Sequence, residues 1–132
     1  MASRPFSARL DADLLERLRR LSTRDRISMS QLVERLLEEA MRTEELPGIV
    51  FRSGPAGRRA GVLGGPDVWE IVRDLEAAEA AGHEDPVAHV LAVTDLAEEQ
   101  VRLAAAYHRA HPDEIDAWIA ENAELTARLL TA

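Results

Sequence analysis

From Pro5 to Leu10 the chain alternates, with Phe6, Ala8 and Leu10 on one face and Pro5, Ser7 and Arg9 on the other, as a half-buried β-strand does. A strand constrains the fold strongly, because each of its backbone N–H and C=O groups must find a hydrogen-bond partner. This one is too short to fold back on itself, and no tight turn nearby returns a second strand beside it. The same strand of a second copy can supply the pairing. Two such strands, antiparallel, make a ribbon with one apolar face, which commits this end of the chain to a homodimer.

The next residues suit that ribbon. Asp11 stands where a helix N-cap belongs, Asp13 favours the positive first turn, and Leu14, Leu15, Leu18 and Leu21 recur at helical spacing. The pattern predicts a helix from about Ala12 to Thr23. A polar turn, Arg24-Asp25-Arg26, leads through Ile27 to Ser28, a second N-cap. Leu32, Val33, Leu36, Leu37, Ala40 and Met41 then trace another apolar stripe, closed by Pro47-Gly48. The expected dimer core is Phe6, Ala8, Leu10, Leu14, Leu18, Leu32, Val33 and Leu36, with the ribbon covering four interlocked helices. Its other face would project Ser7 and Arg9 from each chain, and a two-stranded ribbon fits the major groove of B-DNA.

A short strand, a capped helix, a turn ending in Ile27-Ser28-Met29-Ser30 and a Leu-rich second helix resemble the ribbon-helix-helix (Arc/MetJ/CopG-like) family of DNA-binding repressors over about Arg4 to Met41. The resemblance implies that outward strand residues read bases and that the start of the second helix holds a DNA phosphate. By position, Pro5, Ser7 and Arg9 take the first role, and Ser28, Met29 and Ser30 the second. Pro5 has neither a side-chain donor nor an N–H, which leaves Ser7 and Arg9 as readers. Arginine to guanine O6 and N7 is the commonest specific contact. Arg4, Arg24 and Arg26 would add less specific phosphate attraction. Ser28 serves equally as a plain helix cap.

Charge divides the chain. Up to Thr43 there are nine arginines against seven acids, and beyond it seven against seventeen, within a net charge of −8. This asymmetry suggests two regions with different partners, taken as a DNA-binding domain over 1–45 and a partner-binding or dimerisation domain over 46–132. Cysteine and lysine are both absent, which excludes disulfides, thiolate zinc sites, an ordinary Walker A loop and Schiff-base chemistry. No enzymatic motif and no cofactor are expected. Aromatics make up 4% of residues, so Leu, Val, Ile and Ala must build the core, which points to helices. The N-terminus shows no apolar signal region and no run of about eighteen apolar residues occurs, so a cytoplasmic protein without a membrane segment is expected.

In the second half, Ile49-Val50-Phe51-Arg52 and Ala60-Gly61-Val62-Leu63 flank the turn-rich Ser53 to Arg59, which predicts a hairpin. Asp67 caps an expected helix to about Ala80, Asp85-Pro86 opens a short one through Leu91, Asp95 caps another, and His111-Pro112-Asp113 precedes a final helix to about Leu130. Ile115, Trp118, Ile119, Leu125 and Leu129 line one side of it. That stripe suits either a protein partner or packing on the preceding helices. Glu98-Glu99 and Asp113-Glu114 read as first-turn carboxylates. His108 and His111 lie three apart, but no nearby motif completes a metal site. The blocks Gly48 to Arg52, Gly57 to Ala60, Gly65 to Val72, Leu96 to Val101 and His111 to Ile115 resemble a small helix-turn-helix-type family, members of which serve as antitoxins beside PIN-like ribonuclease toxins.

The fold expected is therefore mostly α: a ribbon-helix-helix with one strand per chain, plus a C-terminal helical domain with a short β-hairpin. The function expected is a DNA-binding transcriptional regulator on a palindromic operator, an autorepressing antitoxin that neutralises a PIN-like ribonuclease. The alternative is a repressor whose second half senses a small ligand or only oligomerises.

Overall fold

The computed structural model describes residues 2–132; Met1, the first residue of the 1–45 segment, lies outside them. The chain is 65% helical, with six helices and one two-stranded antiparallel sheet among the described residues. It divides into two compact units, 1–41 and 42–132.

In the first unit, α1 spans Ala12–Asp25 and α2 spans Met29–Glu45. The Asp11 carboxylate caps α1, accepting from the N–H groups of Asp13 at 3.1 Å and Leu14 at 3.4 Å. The helix runs two residues past the expected Thr23 because a Schellman motif ends it. Ile27 N–H reaches Ser22 O at 3.2 Å and Arg26 N–H reaches Thr23 O at 3.3 Å. Arg26 holds the left-handed conformation this requires, at φ 56° and ψ 42°. A reciprocal capping box then opens α2: Gln31 N–H donates to Ser28 Oγ and Ser28 N–H to Gln31 Oε1, both at 3.1 Å. The Ser28-x-x-Gln31 spacing carries that signal, beyond what the serine alone conveys.

Of the apolar residues in this unit, Leu18 and Leu32 are buried, while Phe6 is 86% exposed, Leu37 and Met41 53% each, Leu10 45% and Leu14 40%. Val33 and Leu36 are half-buried and Ala8 exposed. Residues 2–10 belong to no strand and are exposed throughout. The strand expected at Pro5 to Leu10 is not formed in the single chain.

The second unit begins with the last turn of α2, and its hairpin comprises β1 (Ile49–Gly54) and β2 (Gly57–Val62). Both strands run further into the expected Ser53 to Arg59 turn than the glycines suggested, leaving Pro55-Ala56 as the loop between the paired Gly54 and Gly57. Four helices complete it: α3 (Val68–Ala80), α4 (Pro86–Val93), α5 (Glu98–Ala110) and α6 (Pro112–Thr131). Asp95 does not cap α5. Its N-cap is Ala97, whose N–H is taken by Gln100 Oε1 at 2.9 Å, while Thr94 Oγ bonds Val90 O at 2.7 Å and turns the chain out of α4. One continuous core holds the unit together, from Ile49 and Val62 through Ile71, Val90 and Val101 to Tyr107 and Ile115. Each of those seven side chains is at most 1% exposed.

Candidate nucleic-acid interface

The expected base readers, Ser7 and Arg9, lie in the exposed segment before α1, together with Arg4. Among the described residues Arg4, Arg9 and Arg26 have no ion-pair partner, so their guanidinium groups remain available to an anion. Arg24 does not. Its Nε lies 2.8 Å from Asp25 Oδ1, and Arg35 approaches the other Asp25 oxygen at 3.1 Å. These hydrogen bonds, with Arg24 foremost, hold the Asp25 carboxyl below the usual carboxylate range. Of the three arginines expected to attract phosphate, Arg24 is thus engaged within the chain, whereas Arg4 and Arg26 are not.

The start of α2 retains free donors. Of its first amides, Gln31 N–H is taken by Ser28 Oγ and Leu32 N–H by Ser28 O at 2.9 Å. Those of Met29 and Ser30 have no partner among the described residues, where a helix start attracts anions. Ser28 is a cap whose hydroxyl oxygen accepts from Gln31 N–H and whose O–H is still free to donate. The groups at this turn able to donate to an anion are accordingly the Met29 and Ser30 amides and the exposed Ser28 and Ser30 hydroxyls.

No family model matches this chain, and no curated protein or solved structure matches it.

The second unit contains two polar clusters that no spacing in the sequence announces. Arg52 and Arg59 face each other across the hairpin, where like charges repel unless an anion lies between them. Asp67, 7% exposed, is that anion: its oxygens lie 3.2 Å from Arg52 Nη1 and 2.7 Å from Arg59 Nε. Arg52 also donates to Val62 O at 2.8 Å and Gly65 O at 2.7 Å, lying so close over Gly61 that a Cβ there would sit 2.6 Å from it. Asp67 is the expected N-cap of α3, its N–H donating to Glu70 Oε2 at 3.0 Å, and its side chain serves the hairpin as well. Three of the sequence blocks that suggested a helix-turn-helix-type family, those holding Arg52, Arg59 and Asp67, thus converge on one ion cluster.

The second cluster joins Arg42, Tyr107 and Glu114. Arg42 donates to Tyr107 Oη at 2.6 Å and to Glu114 Oε1 at 2.8 Å, and Tyr107 donates to Glu114 Oε2 at 2.6 Å. Burial first, then the bond to Glu114 and its negative charge, pushes the tyrosine hydroxyl well above its ordinary range. Glu114, expected as a first-turn carboxylate alone, is also the acceptor for a buried phenol.

The stripe on α6 splits. Ile115 is 1% exposed and belongs to the unit's own core, Ile119 packs against that core, and Arg59 lies 5.9 Å over the Trp118 ring. Leu125 and Leu129 stay open at 52% and 70%. Of the five residues expected to face a partner, Ile115 and Ile119 are thus withdrawn into their own unit, because the first turns of α6 close it, and Leu125 and Leu129 remain exposed. The histidine pair separates as well, His111 turning to the Tyr107 ring at 4.7 Å and His108 to Asp116 Oδ1 at 2.8 Å. No described helix is long and apolar enough to cross a membrane.

Proposed function

We propose that the chain is a sequence-specific DNA-binding regulator, acting as a homodimer in which the Pro5 to Leu10 strands pair into a ribbon carrying Ser7 and Arg9 to base edges. The observation behind this is the open apolar surface of residues 2–41, where Phe6, Leu10, Leu14, Leu37 and Met41 lack cover and two leucines alone are buried. A two-helix unit with so small a core needs a second copy. The unpaired Arg9 and Arg26 and the free Met29 and Ser30 amides supply base contacts and phosphate positioning respectively. The palindromic operator is what the two-fold symmetry of such a dimer requires.

The second unit supports a protein-facing role. Its helices α4 and α5 succeed one another through a four-residue turn, but the exposed first turn of α5 carries Glu98 and Glu99. Carboxylates there repel a phosphate backbone. An acidic unit with Leu125 and Leu129 open suits a basic protein, and a PIN-like ribonuclease toxin is the partner that the antitoxin role requires.

Selection of duplexes from a random pool, followed by titration of Arg9→Ala, tests the DNA-binding role. The variant should lose about 1 to 3 kcal/mol on the selected site and little on random DNA. Equal loss on both would refute base reading. For the second unit, Leu125→Ser with Leu129→Ser should abolish capture of a PIN-like ribonuclease encoded by the adjacent gene and leave operator binding intact.

A further inference from the structure

The second unit brings Glu76 of α3, His108 of α5 and Asp116 of α6 together, one donor from each of three helices, with all their ligand atoms within 4.8 Å of one another. We propose that these three residues bind a divalent first-row transition-metal ion, zinc foremost, with water completing the coordination.

The donor set is one imidazole and two carboxylates, which suits zinc and excludes a soft, thiolate-seeking ion. Ligand bonds of about 2.0 to 2.2 Å place donor atoms roughly 3 to 4 Å apart around the metal. His108 Nε2 and Asp116 Oδ1 already lie 2.8 Å apart, and Glu76 and Asp116 are exposed, so small side-chain rotations complete the set. His108 is half-buried, which fixes its ring while the open side stays accessible.

The surrounding charges point the same way. Two carboxylates held this close repel, and a nearby arginine is the usual relief. Among the described residues neither Glu76 nor Asp116 pairs with an arginine. Arg73, Arg102 and Arg128, on the same three helices, are engaged instead with Asp74, Glu98 and Glu124. A divalent cation neutralises both carboxylates and ties α3, α5 and α6 together, so binding should stabilise the unit. The ligands stand 32 and 8 positions apart in the sequence, far outside any metal-motif spacing, which is why the sequence shows only an incomplete His108/His111 pair.

The test is calorimetric titration of the full chain with zinc chloride, paired with the visible spectrum of the cobalt(II) form. One ion per chain is expected, with a rise in melting temperature. His108→Ala should weaken binding at least tenfold, and Glu76→Gln and Asp116→Asn severalfold each. The two carboxamide variants change exposed positions and keep the fold, so they decide the matter if His108→Ala misfolds. His83→Ala and His89→Ala, which break a separate stacked pair, should leave affinity unchanged. Absence of stoichiometric binding at micromolar zinc overturns the proposal. So does unchanged affinity in Glu76→Gln and Asp116→Asn, or loss confined to His83→Ala and His89→Ala.

Discussion

Two leucines are buried in residues 2–41, whereas eleven Ile, Val and Ala side chains and Tyr107 are buried in residues 42–132. The second unit closes on itself because a hairpin and four helices surround a shared centre, and its buried polar groups, Asp67 and Tyr107, are answered by Arg52, Arg59, Arg42 and Glu114. The first has two well-capped helices and a bare segment before them. Local structure is specified equally well in both units, but only one has the tertiary contacts to hold it. On the proposed reading, the difference separates a self-sufficient module from one that a second copy completes.

The largest effect that would test the self-sufficiency of the second unit is at Asp67. Asp67→Ala leaves two arginines facing each other without their anion, and removal of one member of such a buried cluster costs about 3 to 5 kcal/mol. Arg52 and Arg59 are partly exposed, so a value near the lower end is expected, read as a lowered denaturation midpoint. A change below about 0.5 kcal/mol, typical of surface substitutions, would show that the cluster is not a keystone of the unit.

A smaller effect, opposite in sign, probes the first unit. Arg26 occupies the left-handed conformation at a cost of about 1 kcal/mol, which glycine does not bear. Arg26→Gly should therefore stabilise the helices by up to about 1 kcal/mol while weakening DNA binding uniformly across sequences and reducing the salt slope by about 1. Stabilisation with unchanged salt dependence would reduce Arg26 to a turn residue.

These cases show how much could be read from the residues alone. The caps at Asp11, Ser28 and Asp67, the helix start at Asp85-Pro86 and the stripes of both N-terminal helices are local features, and they stand where the side-chain spacing placed them. The extent of the hairpin strands and the cap of α5 were misplaced by a few residues: Gly54 and Gly57 pair with each other and extend the strands, and Thr94 bonds back to Val90 O and turns the chain out of α4. Both clusters around Asp67 and Tyr107 depend on partners 7 to 65 positions away. No periodicity encodes such meetings.

The smallest effects are in pH dependence, and they have opposite signs in the two units. Tyr107 is the sole tyrosine, so ultraviolet titration of the phenolate reports this residue alone. Its raised value means that its contribution to stability is complete below about pH 10 and lost as pH rises through the folded-state value. Phenolate should form near pH 10 in denaturant and only at higher pH in the native chain; coincident curves would place the hydroxyl outside the core. Asp25, held low by Arg24 and Arg35, contributes fully above about pH 4, and its share is lost as pH falls through its lowered value. Asp25→Asn should flatten the acid limb of the first unit's melt and leave the second unit's unaltered.

Sedimentation equilibrium of the full chain at micromolar concentration, beside a variant lacking residues 1–10, addresses the need for a second copy most directly. A dimer is expected for the full chain, with a melt of α1 and α2 that shifts upward with concentration while the second unit's melt does not. The shortened chain should sediment as a monomer, lose the helical signal of its first unit and fail to bind DNA. A full chain that is monomeric with α1 and α2 folded, or a shortened chain that remains a DNA-binding dimer, would contradict the ribbon.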